Sequence, residues 1–221
     1  MKIAVTSDLH GNLPKVEECE LLLICGDIMP LNIQFNDSKS IDWLQNQFRD
    51  WCIDSPAKQI VFIAGNHDFS LYWHRKELTE RFLNNGKIIY LKDSEFEYKG
   101  VRIYGTPWCH RFGNWAFMRD DLELSEKFEN IPDNLDILLT HDAPYGYHDE
   151  IIEDVIYKNG GSIGSIPLVK AIEEKQPKYH FSGHLHGTSH KETLIENTKS
   201  YSVSLVNEEY EIAYPILYLN I

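Results

Sequence analysis

Asp8 and His10 stand two residues apart in the run Ser7-Asp8-Leu9-His10-Gly11-Asn12. In an extended segment that spacing turns both side chains to one face, so a single strand end can offer a carboxylate and an imidazole to the same metal ion. Asp27, after Cys25-Gly26, adds a second carboxylate able to bridge two ions, and Asn66 in Gly65-Asn66-His67-Asp68 offers a neutral amide oxygen. His141, His184 and His186 supply imidazoles, the last two again two residues apart. A mixed nitrogen and oxygen set of this kind suits manganese, iron, zinc, cobalt or nickel, and fits neither a calcium cage nor a thiolate site. These seven side chains exceed the needs of one tetrahedral zinc. Two divalent metal ions sharing Asp27, about 3.5–4 Å apart, account for the number. Such a pair lowers the pKa of bridging water, neutralises phosphoryl oxygens and stabilises charge on entering and leaving atoms, which is the chemistry of phosphoester hydrolysis.

The fold has to collect residues this far apart. Residues 2–6, 21–25, 59–64, 137–140 and 179–182 are short apolar runs that read as strands, and each ends in a loop carrying Asp, His or Asn. Ligand sites in α/β sheets gather beyond the carboxyl ends of the strands, so the loops converge on one sheet edge. Ile41, Leu44, Phe48, Trp51 and Cys52 fall at helical spacing from Ser40 onward. Further helices are expected over 73–84, stopping near Gly86, over 122–129 before Pro132, and from a Ser165 cap through Lys175. A strand over 87–91 precedes a hairpin with arms 95–98 and 101–104 joined through Lys99-Gly100, and residues 106–121 form an aromatic, irregular insert. From about residue 200 the tail reads as two antiparallel strands around a turn at 207–209. Early βα alternation and a later β-rich half predict an α/β fold of two packed sheets, a β-sandwich flanked by helices, with residues 1–221 as one domain.

The order Ser-Asp-Leu-His-Gly-Asn from Ser7, Cys-Gly-Asp from Cys25, Gly-Asn-His-Asp from Gly65, Thr-His-Asp from Thr140 and Ser-Gly-His-Leu-His-Gly from Ser182 resembles the calcineurin-like metallophosphoesterase superfamily. The resemblance runs from Lys2 to Gly187 and implies a double β-sheet sandwich with a dinuclear centre on one sheet edge. It assigns one metal to Asp8, His10, Asp27 and His186, and the other to Asp27, Asn66, His141 and His184. It also implies in-line attack on phosphorus by a metal-bridging hydroxide, with His67 as the general acid and Asp68 orienting its ring. Many members carry a second Asp three residues after that of Gly-Asp, where this chain has Pro30 after Met29. A closer resemblance is to the small metallophosphoesterase-domain proteins first described from brain and their bacterial relatives, through Tyr104-Gly105-Thr106-Pro107-Trp108, Trp115-Ala116-Phe117 and the piece from Thr140 to Pro144. Some members of that group lack a ligating His in the last motif; His184 and His186 are both present here, which implies an active enzyme.

Asn12, Trp108, His110 and Arg111 are candidate substrate contacts, with Phe112, Trp115 and Phe117 as further aromatics that could stack on a base. His110 and His148 are candidates for outer-shell positions near the metals, whereas His74, His180 and His190 read as surface or strand residues. Gly160-Gly161 lacks the flanking pattern of a phosphate cradle, and no Gly-x-Ser-x-Gly elbow supplies a nucleophile for a serine hydrolase. A formal net charge of −13 with no run of Lys or Arg disfavours a nucleic-acid polymer as partner, because that affinity comes from cationic contacts to phosphates. A small phosphorylated substrate remains compatible, since bound cations reverse the local field. The four cysteines, Cys19, Cys25, Cys52 and Cys109, form no Cys-x-x-Cys pair and read as reduced thiols. With no signal peptide or membrane span in view, the expected compartment is the cytoplasm. The expected activity is hydrolysis of small phosphodiesters ahead of monoesters, nucleotides among them, with manganese the leading metal. The alternative is a metal-binding interaction scaffold of the same fold without turnover.

Overall fold

The computed structural model of the chain describes residues 1–78, 86–151, 161–188 and 190–221. Among these, β1 (Lys2–Thr6), β2 (Leu21–Cys25), β3 (Gln59–Ile63) and β4 (Ile88–Tyr90) run parallel, and β15 (Leu217–Asn220) closes the free edge antiparallel to β1. A second sheet orders β13 (Glu192–Ile195), β14 (Thr198–Ser202), β12 (Tyr179–Ser182), β9 (Ile137–Thr140), β6 (Val101–Thr106) and β5 (Ser94–Tyr98). Its inner strands are parallel, and the hairpins β5–β6 and β13–β14 make both edges antiparallel. Two small pairs sit in the loops: β7 (Cys109–His110) with β8 (Met118–Arg119), and β10 (Glu150–Ile151) with β11 (Gly161–Ser162).

Alternation along the strands divides the apolar residues between two cores. Ile3, Val5, Leu23, Val61 and Ile63 pack with Ile103, Ile137, Leu139 and Phe181, filling the space between the sheets. Ala4, Leu22, Ile24, Ile60 and Phe62 pack instead with residues of the flanking helices. Strands covered on both faces read as unbroken apolar runs, and every residue of β2 and β3 is buried. The result is the α/β arrangement of two sheets flanked by helices that the strand pattern predicts.

The first helical stretch combines α1 (Asp37–Trp43), a π-helical turn (Leu44–Phe48) and α2 (Arg49–Asp54), and Asn36 caps it by accepting the Lys39 N–H at 3.1 Å. The wider turn brings Trp43 and Phe48, five residues apart, into a stacked pair with centroids 5.7 Å apart on the buried side. α3 (Phe69–Leu78) starts immediately after the third motif, earlier than the helix expected over 73–84, whose residues 79–84 lie outside the described residues. Gly160 lies outside them as well. α4 (Asp121–Phe128) carries a capping box between Asp120 and Glu123, and α5 (Ile166–Lys175) is capped by Ser165, which accepts the Leu168 N–H at 3.2 Å.

The tail departs from its reading. After the β13–β14 hairpin the chain turns at Asn207 with only the isolated bridge Val206–Ile212 beside it, then delivers β15 to the first sheet. β1 would otherwise leave a long unpaired edge, and the tail covers it. On the way, Ser7 and Ser204 form a parallel bridge, with the Leu205 N–H donating to the Ser7 carbonyl at 2.9 Å. That bridge ties the two sheets together at the ends where the motif loops emerge. All four cysteines are buried and free. Among the described residues, no helix is long and apolar enough to cross a membrane.

Candidate metal centre

The loops after β1 and β2 continue the ladder past the strands. The Asp8 N–H donates to the Gly26 carbonyl and the His10 N–H to the Asp27 carbonyl, both at 2.9 Å. Asp8, His10, Asp27 and His184 all have positive φ, at 54°, 42°, 52° and 70°. Non-glycine residues seldom adopt that conformation, and its concentration at these positions marks backbone bent to aim side chains. Close approach makes two glycines necessary. A Cβ on Gly65 would lie 2.2 Å from Asp27 Oδ1, and one on Gly183 would lie 1.9 Å from Ser7 Oγ and 2.6 Å from Asp8 Oδ2.

The predicted ligands converge. His141 Nε2 lies 3.3 Å from Asp27 Oδ2 and 3.0 Å from Asn66 Oδ1. His10 Nε2 is 3.9 Å from Asp27 Oδ2, and His186 Nε2 is 3.5 Å from Asp8 Oδ1. The His184 ring stands 5.2 Å from that of His141, and its backbone N–H donates to the Asp8 carboxylate at 3.1 Å. Among the described residues, Asp8–His10–His186, Asp8–Asp27–His141, His10–Asp27–His67 and Cys109–His141–His184 each bring three ligand atoms within 4.8 Å of one another. The groups share members, so they form one continuous cluster.

The nitrogens are arranged as metal ligation requires. His141 Nδ1 lies 2.7 Å from the Cys25 carbonyl and His186 Nδ1 lies 2.9 Å from the Asn207 carbonyl. Each Nδ1–H donates to its carbonyl, which leaves Nε2 as the atom facing the cluster. The His10 side chain is only 1% exposed, yet neither ring nitrogen has a hydrogen-bond partner. Buried polar atoms are nearly always paired, so an imidazole with both nitrogens orphaned among carboxylates fits the role of a cation ligand. The donor set fits divalent transition metals.

Electrostatics prepares the same state. Burial alone pushes the Asp8 carboxyl up, but His186 beside it outweighs that and holds it at about 2. Burial also acts against Asp27, and His141 and His67 hold it well below the usual carboxylate range. Burial lowers His10 to about 4 against the pull of Asp27, and burial with His141 lowers His184 to about 4. Charged carboxylates and neutral imidazoles are the forms that ligate. His141 and His186 differ: burial is overcome by Asp27 at His141, which is raised to about 10, and by the bond to Asp8 at His186, which is raised as well, so ligation at each has a proton to displace.

His67 adjoins the cluster, with Nε2 3.9 Å from Asp27 Oδ2 and its backbone N–H donating to Asp27 Oδ1 at 2.7 Å. Its ring is held by Gln34, whose Oε1 lies 2.6 Å from Nδ1, and not by Asp68 as the resemblance implies. Asp68 points inward and accepts the backbone N–H groups of Gly65 (2.8 Å), Met29 (2.9 Å) and Ile28 (3.3 Å), clamping the second and third motif loops together. Burial and Asp27 push its carboxyl up to about 7.

Of the candidate substrate contacts, Trp108 is corrected: it is 3% exposed, and its indole N–H donates to the Asp93 carboxylate at 2.8 Å. It packs the insert onto the domain edge-to-face with Phe117, itself fully buried. His110 is half-buried and bonded through its backbone N–H and Nδ1 to Asp142 Oδ2, at 2.8 and 3.0 Å. Burial lowers His110 but the Asp142 bond wins, raising its pKa. Arg111 is exposed and faces Glu123 at 3.7 Å, and Asn12 lies in the first-motif turn, its N–H donating to the Leu9 carbonyl at 2.7 Å. His148 bonds the carbonyl of Ser200 on β14 at 3.1 Å, and the hydroxyl of the same residue bonds His180 on the neighbouring β12. Gln34, Asp142, Asn207 and Tyr210 border the centre without having been singled out; Asp142 follows His141 in its motif, while the other three belong to none.

The calcineurin-like phosphoesterase family model matches residues 1–188. The human metallophosphoesterase domain-containing protein 1 is 28% identical over 211 residues, covering 84% of this chain and 60% of the relative. The chain thus spans about 60% of that relative's length. A UPF0046 protein of Caenorhabditis elegans is 28% identical over 232 residues, covering 95% of this chain and 76% of the relative. The crystal structure of TT1561 of Thermus thermophilus matches the fold with a TM-score of 0.64 at 12% identity, covering 91% of this chain and 88% of that one. With the motif loops gathered on one sheet edge and the family model spanning all of them, the chain belongs to the calcineurin-like phosphoesterase family.

Proposed function

We propose that the chain is a metal-dependent phosphoester hydrolase acting on small phosphodiesters ahead of monoesters, nucleotides included, with residues 1–221 forming its single catalytic domain. The observation that carries this reading is the buried His10 imidazole, orphaned at both nitrogens within a cluster of carboxylates and histidines. Asp8, His10, Asp27 and His186 would hold one divalent ion, and Asp27, Asn66, His141 and His184 a second, with manganese the first metal to test. Ions held there would acidify water and neutralise negative charge on a phosphoryl group. The protein's own contribution lies beside them. His67, fixed at Nδ1 by Gln34, turns Nε2 toward the centre, where it can protonate the leaving oxygen. Asp68 keeps Asp27 and Asn66 in register by accepting the N–H that follows Asp27 and the N–H that precedes Asn66. The net charge of −13 favours a small substrate over a nucleic-acid polymer. Four free, buried cysteines suit a reducing compartment, the cytoplasm.

The test is to strip the protein of metal, titrate manganese back and follow bis(para-nitrophenyl) phosphate and para-nitrophenyl phosphate together. Hydrolysis should rise with metal and be faster for the diester. Metal binding without turnover of either ester would turn the reading toward a non-catalytic scaffold.

A further inference from the structure

Tyr210 borders the centre from the tail, beyond the residues matched by the family model. Its ring meets His10 and His186 edge-on, with centroids 4.8 and 5.2 Å apart, and stands 6.2 Å from the ring of His67. The residue is nonetheless 39% exposed, so the ring is open to solvent while it touches the imidazoles. Its φ is +62°, a conformation rarely adopted by tyrosine and held here by a built turn. Asn207 Oδ1 accepts the N–H groups of Glu209 (3.1 Å) and Glu211 (2.9 Å), and the Asn207 carbonyl accepts the Tyr210 N–H at 2.9 Å. The same carbonyl accepts His186 Nδ1–H. One residue therefore fixes both a ligand imidazole and the turn that presents Tyr210.

His67 has a second aromatic neighbour in Trp115, with centroids 4.6 Å apart, and Trp115 lies 6.0 Å from the ring of Phe35, which is 64% exposed. An organic group attached to an oxygen within reach of His67 is thus in an aromatic surrounding. We infer that Tyr210 is a specificity-determining residue that stacks on a flat aromatic group of the substrate, so that the site favours aryl-bearing phosphoesters over alkyl ones. This rests on the phosphoester reading above. The competing role is a prop that merely supports His10 and His186.

Phenylphosphonate and methylphosphonate separate the two roles, because they share an anionic head, resist hydrolysis and differ only in the ring. Binding of each to the manganese-loaded protein is measured by calorimetry, with metal content alongside. The wild type should bind phenylphosphonate the more tightly. Tyr210→Ala should weaken it by about tenfold, within the range of base stacking on an aromatic side chain, while methylphosphonate affinity and metal content hold. Tyr210→Phe should keep the preference, and Tyr210→Leu, which preserves bulk, should lose it. Equal weakening of both ligands, loss of metal, or an unchanged preference in Tyr210→Ala would overturn the inference. Binding of neither phosphonate by the wild type would overturn the phosphoester reading itself, whereas binding without preference would defeat the inference alone.

Discussion

Two buried histidines, His180 and His10, show opposite ways of placing an imidazole away from water. His180 sits on β12, inside the second sheet. The Thr140 hydroxyl donates to the Asp142 carbonyl at 2.8 Å, so it accepts from His180 Nε2–H, also at 2.8 Å. That leaves His180 Nδ1 to accept from the Ser200 hydroxyl at 2.9 Å. Both nitrogens are satisfied within the protein, and burial, with a smaller effect of His148, depresses the pKa to about 3. His10 has no such partner on either nitrogen, although its side chain is as well hidden. A buried histidine with a complete set of hydrogen bonds stabilises the fold; one without them, among carboxylates, is a ligand in waiting.

The largest effects should follow from breaking the ligand side of this contrast. His10→Ala or Asp27→Asn should remove metal and lower hydrolysis by about 1,000-fold or more, since bound ions supply several kcal/mol of transition-state stabilisation. The metal-free His10→Ala protein should lose less stability than His180→Ala does, because the ring it removes makes contacts with His67, His186 and Tyr210 but no hydrogen bond. His67→Ala should reduce turnover by about 100-fold with metal content unchanged, as expected for a general acid. Gln34→Ala should reduce it by about tenfold, the scale of one hydrogen bond. The loss should be greater for esters with poor leaving groups, which need the proton most, and a uniform loss would argue against Gln34 acting through His67.

The structural side should respond in stability instead. His180→Ala empties a packed position and strands Thr140 and Ser200, so it should destabilise the chain by about 2–4 kcal/mol in denaturant titrations while metal content holds. The sign of its pH dependence is set by the depressed pKa. Below the unfolded value near 6.5, the unfolded chain takes up a proton that folded His180 refuses until about 3. Stability therefore falls on acidification through that window, by up to about 1.4 kcal/mol per pH unit from this residue. His180→Asn should flatten that part of the profile.

The motif loops were legible because each follows an apolar run that reads as a buried strand. The Asp-x-His and His-x-His pairs do not share a face through an extended segment, however: Asp8, His10 and His184 have positive φ, and it is bent backbone that aims them. Gln34 was not legible. It lies between the second motif and α1 and is recruited only when that loop folds over His67, 33 residues away. The tail failed for a similar reason. It reads as two strands pairing with each other around the 207–209 turn, but its last strand, Leu217–Asn220, pairs with β1, at the other end of the chain. Asn207 and Tyr210 come to the centre with that crossing, so no local pattern marks them. Trp108 misled because an aromatic in a long insert can pack inward or face a ligand, and only Asp93, which receives its N–H, decides between them.

Native mass spectrometry of the manganese-loaded chain tests the metal centre most directly. Two ions per wild-type chain, fewer than two after His10→Ala and two after His180→Ala is the predicted result. A wild type that binds none, or a His10→Ala variant that binds as the wild type does, would contradict it.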